Sequence, residues 1–432
     1  FEHSIIPNTK NMSSEQLRAV SMFKTLRDYI TIKFDSDAEY NFDKFKADLN
    51  NTNLHIKETE DLAIVYFVDS GFEITQVEQY TRSCVLEKST LSILVSQQNN
   101  IICNEISDMF IDHYKTSYDE NVWNHVVVQK CVEGTMVSLF WYKDKWYIST
   151  RRCIDAANSK WGSKTYKELF DELLDFDLDL LNKEHSYVFI LVHNENNNII
   201  QRTSEDNQLI LCTAMEQRTL REVLDVPHCV LLPELDLDYT KMQESLLTMD
   251  AHDRTMGKVT EEGYVVKLYE GEKYNSKYIT MKYQTNLYKT LVTIKPNCSN
   301  MVLILVGLYC TDNMREYAKF FTSDTRMCHK VDLAMKELTQ LLFDIYRATR
   351  NKQNAELYNK LGPEYKKCLY QLHSIYLSKV SRSPEQKQNL MRHDVYDYLK
   401  KKDVMEMGKL LLETKANLNE KTPNLNRLTT FL

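Results

Sequence analysis

Apolar residues fall into two textures along the chain. Between Leu62 and Lys282 they come in short runs rich in Val, Ile, Tyr and Phe, separated by turn residues: Leu62–Val68, Cys84–Leu86, Leu91–Val95, His125–Gln129, Met136–Trp141, Trp146–Thr150, Tyr187–Val192, Leu209–Thr213, Glu262–Lys267 and Lys277–Lys282. Runs of this kind predict β-strands. The Lys143-Asp144 pair predicts a hairpin turn between two of them. Thr165–Leu181 predicts an acidic helix, with Tyr166, Leu169, Phe170, Leu173 and Leu174 at helical spacing. Upstream, Ser14–Tyr29 predicts a helix behind Ser13 as its cap. Beyond Asp312 the period changes to that of helices. Val331, Ala334, Met335, Leu338, Leu341, Leu342 and Ile345 form one apolar stripe, and Asp394–Glu413 carries another with many lysines. Ser383-Pro384-Glu385 has the form of a helix start. The expected organisation is a helical adapter over 1–60, a sheet-rich domain over 61–312, an all-helical domain over 313–420 and a tail over 421–432.

Composition narrows the class. Of 432 residues, 43% are hydrophobic and 11% aromatic, enough apolar material to exclude a disordered chain. Ten cysteines contain no Cys-x-x-Cys pair, so a zinc ribbon is not expected. Free thiols in a reducing, cytoplasmic setting are. Eleven histidines include no His-Glu-x-x-His, and no Walker loop or nucleophile elbow is present. The longest apolar run, Met301–Cys310, is about half the ~20 residues of a membrane span, and no secretory leader pattern opens the chain. It begins with Phe, as a trimmed chain or one released from a longer precursor would. A net charge of −7 argues against nonspecific coating of nucleic acid, yet leaves open an enzyme whose positive groups converge in one cleft.

Candidate chemistry concentrates in Val126-Val-Val-Gln-Lys130-Cys-Val-Glu133-Gly134-Thr135. A lysine at a strand end beside a tight turn can be held partly desolvated, which makes its amine nucleophilic. A neighbouring glycine lets backbone approach a phosphate. Downstream, Glu262-Gly263-Tyr264-Val265-Val266-Lys267 offers a strand-borne carboxylate suited to a divalent metal. Ile279-Thr-Met-Lys282-Tyr283 offers a lysine able to neutralise an α-phosphate.

The order of these segments resembles the covalent nucleotidyltransferase superfamily of DNA ligases, RNA ligases and mRNA-capping guanylyltransferases, and within it phage-type and large-virus ATP-dependent RNA ligases. Lys130…Glu133-Gly134-Thr135 is similar to the nucleophile motif Lys-x-Asp-Gly. Tyr147-Ile-Ser-Thr-Arg151-Arg152 resembles the second hairpin strand with its basic residue, and Arg82-Ser-Cys-Val-Leu-Glu the family's Arg-Gly element. Glu262-Gly263-Tyr264-Val265 matches Glu-Gly-x-Val, and Tyr278-Ile-Thr280-Met-Lys282 resembles the last Lys-x-Lys strand. The resemblance spans about residues 80–300. It implies an α+β fold: an antiparallel-sheet nucleotidyltransferase (ATP-grasp-like ligase adenylyltransferase) domain followed by an all-helical C-terminal domain. It implies ATP, or GTP in a capping enzyme, with Mg²⁺ or Mn²⁺ as cofactors, and RNA ends as partners. Lys130 would form the lysyl-AMP, Glu262 would bind the metal and Lys282 the α-phosphate. Glu133, Gly134, Arg151, Lys267 and Arg82 would hold the nucleotide and acceptor phosphate.

Three departures open a second reading. Gly134 stands four places after Lys130 instead of three, so strict spacing puts Cys131 at the nucleophile position unless a one-residue bulge intervenes. Ile190 stands where the third motif carries a nucleotide-binding Glu, with Glu195 a few residues off. Thr280 replaces the first lysine of the last strand. Together they point either to a divergent ligase or to a catalytically degenerate ligase fold serving as an RNA-binding or assembly subunit with protein partners.

Overall fold

The structure of the chain is a computed structural model. It describes residues 25–430 apart from 98, 101, 118–120, 197, 218, 220, 296–299, 352–353, 383–388 and 417–421. Ser383-Pro384-Glu385 and all of the expected Ser14–Tyr29 helix before residue 25 lie outside the described residues. Two compact units divide the chain, Glu2–Lys289 and Thr290–Leu432.

The first unit opens with α1 (Leu26–Ser36), which starts at Thr25 because Thr25 and Asp28 cap each other's backbone N–H groups, and α2 (Phe42–Asp48). Next come β1 (Leu54–Glu58), β2 (Leu62–Phe67), α3 (Gln76–Gln79), β3 (Ser83–Glu87) and β4 (Ile93–Ser96). The four strands form an antiparallel sheet in sequential order. Every residue of β2 is buried, its two faces feeding separate cores. Then follow β5 (Ile102–Cys103), α4 (Glu105–Ser117), β6 (Val126–Cys131), β7 (Thr135–Tyr142), β8 (Lys145–Thr150), β9 (Lys160–Trp161), β10 (Lys164–Thr165), α5 (Tyr166–Leu173), β11 (His185–Val192), β12 (Gln208–Glu216), β13 (Glu222–Val223), α6 (Tyr239–Met256), β14 (Gly263–Tyr269) and β15 (Tyr278–Gln284). The unit ends in the first residues of α7 (Asn286–Ile294).

Two larger sheets result. One has the order β13-β12-β11-β7-β8 and is antiparallel throughout. The other has the order β5-β15-β14-β6, antiparallel except where β5 joins β15. The β7–β8 hairpin turns at Lys143-Asp144, both with positive φ, as a two-residue turn of the I′ kind requires. In the four-stranded sheet Val126, Val128, Tyr264, Val266, Leu268, Ile279, Met281 and Tyr283 pack against α4 and α6. The alternate positions on the other face line a cleft shared with β7, β11 and β12.

The acidic helix expected to reach Leu181 stops at Leu173. Leu174 is its C-cap, and the Asp177 side chain accepts from the Asp179 N–H to start a separate 3₁₀ turn. Periodicity gave no warning of α6, which buries only Met242, Leu246 and Asp253 over eighteen residues.

The second unit is helical among its described residues: α8 (Met301–Cys310), α9 (Met314–Phe320), α10 (Thr325–Tyr346), a π-helical turn (Arg347–Asn351), α11 (Ala355–Lys360), α12 (Pro363–Arg382), α13 (Arg392–Lys400), α14 (Val404–Ala416) and α15 (Pro423–Thr429). Val331, Ala334, Met335, Leu338 and Leu342 of α10 are fully buried at its centre. The Asp394–Glu413 stripe is two helices with a break at 401–403. Residues 425–429 are helical, and the Leu425 N–H donates to Glu337 of α10 at 2.9 Å. The run Met301–Cys310 is a buried helix, and no helix among the described residues is long and apolar enough to cross a membrane. The fold class is therefore α+β, with antiparallel sheets followed by a helical region.

Candidate nucleotide cleft

The cleft has an open volume of about 990 Å³, counting solvent at its mouth. Arg82, Lys130, Glu133, Gly134, Glu262, Lys267 and Lys282 all border it. Arg151 does not. It follows β8, and its guanidinium donates to the Phe67 carbonyl at 3.0 Å while its own carbonyl accepts from Ser83.

The strand register decides how the nucleophile segment faces. β6 pairs with β14 without a shift, Lys130 opposite Tyr264 and Cys131 opposite Gly263. Val126, Val128 and Tyr264 belong to the core under α4 and α6, so alternation puts Lys130 on that face and Val127, Gln129 and Cys131 on the cleft face. No bulge turns Lys130 inward. Its side chain is 52% exposed, and its Nζ donates to Glu261 Oε1 at 2.7 Å. Cys131 is buried beside Glu262 and Lys282, and burial, aided by the Glu262 charge, pushes its thiol well above the ordinary range. A thiol held neutral is a poor nucleophile.

Glu262 reaches the cleft through a local reversal. Alternation from Tyr264 would send it to the helix-packed face, but Gly263 has φ 141° and turns the chain over. Only glycine fits, because a Cβ there would lie 2.1 Å from the Tyr283 carbonyl oxygen. Glu262 Oε1 accepts from Lys282 Nζ at 2.8 Å and from Gln284 Nε2 at 2.9 Å. Burial opposes the charge of Glu262, yet the adjacent Lys282 ammonium holds its carboxyl below the usual range. Burial likewise opposes the charge on Lys282, and Cys131 and Glu262 outweigh it, so its pKa is raised.

The remaining expected ligands are held by the protein itself. The Glu133 carboxylate accepts from the N–H groups of Ile199 (2.9 Å) and Ile200 (2.8 Å) and from the Tyr288 hydroxyl (3.1 Å). It anchors the loop after β11, while burial raises its pKa. A Cβ on Gly134 would meet Ile190 at 2.6 Å and the Leu191 carbonyl oxygen at 2.7 Å, so this glycine serves close packing of the loop on β11. Lys267 donates to Glu222 at 2.6 Å, both side chains about 5% exposed, and lies 4.9 Å from the Tyr278 ring centroid. Glu222 also accepts from Tyr269 at 2.6 Å. Ile190 and Thr280 both line the cleft. Glu195 does not replace the carboxylate missing at Ile190, since it pairs with the half-exposed Lys164 at 2.9 Å.

Sequence reasoning missed Glu222, Gln284 and Asn99. Glu222 sits on a two-residue edge strand with no periodic signal. Buried Asn99 brackets the Thr280 backbone, accepting from its N–H at 2.9 Å and donating to its carbonyl at 3.0 Å. Among the described residues no three His, Cys, Asp or Glu side chains converge as a metal site. Glu262 alone, with one oxygen already taken by a lysine and an amide, does not make a divalent-cation site from protein atoms.

No protein-family model matches the chain. A curated relative, the immediate-early protein ICP-46 homolog of Invertebrate iridescent virus 3, is 40% identical over 77 residues. The match takes in 16% of this chain and 17% of that protein, so the chain spans under a fifth of the relative's length. Similar solved structures are two forms of an archaeal ATP-dependent RNA ligase and a putative ATP-dependent DNA ligase from Aquifex aeolicus. Form 1 is 11% identical, covers 64% of this chain and 68% of its own, with TM-score 0.39. Form 2 is 12% identical over 83% and 94%, with TM-score 0.41. The Aquifex protein is 14% identical over 87% and 80%, with TM-score 0.34.

Proposed function

We propose that the chain is a catalytically degenerate ligase-fold protein that binds a nucleotide or RNA 5′-phosphate noncovalently and serves as an RNA-binding or assembly subunit. One observation carries the reading. In the unbroken β6–β14 register the thiol of Cys131 faces the cleft, while the Lys130 ammonium is tied to Glu261 on the other face. A lysyl-AMP needs an amine at the α-phosphate, and no unpaired lysine amine stands on the cleft face among the described residues. Lys267 and Lys282 are locked to Glu222 and Glu262. Ile190, Met136 and Leu232 give a base an apolar surface, and Arg82 gives phosphates positive charge. A divalent cation would enter on the phosphates of its nucleotide, and its part in this reading is charge balance alone.

The test is incubation with α-³²P-labelled ATP or GTP and Mg²⁺, with calorimetric titration of a nonhydrolysable ATP in parallel. Binding without acid-labile protein-bound label is expected, and Arg82→Gln should weaken it about tenfold, the worth of one charge-assisted contact. ATP label that disappears in Lys130→Ala would instead support the reading as an active ATP-dependent RNA ligase, with sealing of RNA ends as the next assay. That second reading is favoured by Lys130 bordering the cleft, and it requires the Glu261 pair to break and the strand end to turn by one residue. GTP label would point to capping chemistry.

A further inference from the structure

Charge is divided unevenly between the two units. Residues 290–432 carry 23 Lys and Arg against 15 Asp and Glu, a net +8, so the remaining chain carries −15 of the total −7. Many lysines of the helical unit are neutralised locally, as Lys360 is by Glu356 and Lys367 by Glu406. Among the cations that are not, three lie near the end of α10. Arg347 and Arg350 lie on the π-helical turn, and Lys366 lies in the first turns of α12. None of the three ion-pairs with a carboxylate among the described residues. The Arg350 guanidinium sits 5.4 Å from the Tyr358 ring centroid and the Lys366 ammonium 5.7 Å from the same ring, so α11 ties the two together. Arg350 Nε is buried without a hydrogen-bond partner. One turn beyond Lys366 on α12, Tyr370 is 71% exposed.

Uncompensated Arg and Lys beside an exposed aromatic ring is the chemistry that recognises a flexible polyanion with unstacked bases. A duplex would use the cations but leave Tyr370 idle, and an acidic polypeptide has no base to stack on it. We propose that Arg347, Arg350, Lys366 and Tyr370 form a single-stranded nucleic-acid contact on the helical unit, the cations holding phosphodiesters and Tyr370 stacking on a base. The proposal stands on the helical unit alone and does not depend on the nucleotide cleft.

The test uses the whole 432-residue chain and a fluorescent, unstructured 20-nucleotide RNA with a 5′-hydroxyl, which gives the cleft no 5′-phosphate. At 0.1 M salt the triple variant R347Q/R350Q/K366Q should bind about 100-fold more weakly, and the slope of log K against log salt should fall by about 2, at roughly 0.7 counterions per single-strand phosphate contact. Tyr370→Ala should cost about tenfold with an unchanged slope. K360Q/K367Q, which removes two paired lysines, should change neither. Unchanged affinity in the triple variant overturns the site. So does an equal loss in K360Q/K367Q, which would trace binding to net charge, and so does equal affinity for polyglutamate, which would assign the surface to an acidic protein. Nucleotide titration of the triple variant keeps the two proposals apart, because the cleft should bind ATP as the wild type does.

Discussion

Lys267→Met tests whether the lysine that ends the Glu-Gly-Tyr-Val-Val-Lys segment is a structural cation. In the native chain its Nζ lies 2.6 Å from Glu222 Oε1, and the two side chains are 5% and 6% exposed. Methionine fills similar volume but leaves a buried carboxylate without its cation. Removing one partner of a buried pair costs about 3–5 kcal/mol. The Tyr269 hydroxyl at 2.6 Å and Thr213 at 3.3 Å still donate to Glu222, which places the loss near the lower end, about 3 kcal/mol. At ~2–4 °C per kcal/mol for a unit of this size, the melting transition followed by β-sheet circular dichroism should fall by roughly 6–12 °C. K267M/E222Q should recover most of the loss, because no charge is then buried alone. The pH behaviour has a definite sign. The folded pKa of Lys267 lies above its ordinary 10.5, with Tyr278 and Glu222 outweighing burial. Its contribution is therefore fully present below 10.5 and fades only as pH rises through the folded value, so the cost of Lys267→Met should be flat between pH 6 and 9. A single-variant cost under about 1 kcal/mol, or a double variant no better than the single, would refute the buried-pair assignment.

Three further outcomes follow from the cleft. Gly263→Ala should destabilise by at least about 3 kcal/mol in urea unfolding, since it combines an unfavourable φ with a 2.1 Å approach to a backbone oxygen. Glu133→Gln should cost about 1.5–3 kcal/mol, because an amide cannot accept from both Ile199 and Ile200 with full charge, and hydrogen exchange at those two amides should accelerate. The folded Glu262 carboxyl titrates below its ordinary 4.5, so its ionised form stabilises the fold above that pH and the benefit is lost as pH falls through the folded value. The stability gap between wild type and Glu262→Gln should be constant from pH 7 to 5 and narrow below about 4.5; a gap that widens on acidification contradicts the Lys282 pairing.

The longer buried strands of the sheet-rich unit were legible because burial writes a short β-branched and aromatic run into the sequence, whereas the largely exposed β1, inside the expected helical adapter, and the two-residue strands β5, β9, β10 and β13 were not. Glu262-Gly263 stood out through its resemblance to the Glu-Gly-x-Val motif, whereas the reversal at Gly263 carries no local signal beyond the glycine itself. Partners supplied from a distance were not. Glu222 lies 45 residues before Lys267 on an edge strand of two residues, and nothing local marks it as the counter-ion. Glu133 reads equally well as a nucleotide ligand or a loop anchor, and only the N–H groups of Ile199 and Ile200, 66 and 67 residues away, decide for the anchor.

Why the lysine at 130 fails to enter the cleft is a matter of parity. Side chains on a strand alternate with period two, so a motif whose spacing is off by one residue loses its whole face, a much larger displacement than the 3.3 Å step along the chain suggests. A bulge could have absorbed the extra residue, at the cost of one unpaired ladder position. Here the ladder from Val126 to Cys131 is complete, and Gly134 is fixed by its close approach to Ile190 and Leu191. With both ends of the segment pinned, the odd residue cannot be taken up between them, and Cys131 holds the inward position. The residues around it follow the same pattern of internal partners. Ile190 packs in an apolar cluster with Val192 and Ile210, and Lys282, with Thr280 rather than a second lysine two residues before it, is neutralised by Glu262. Restoring parity alone, by Cys131→Lys, would bury a fresh ammonium beside Lys282 with Glu262 already engaged. Such a variant should lose stability before it gains labelling, unless Glu is also introduced at 190 to share the charge.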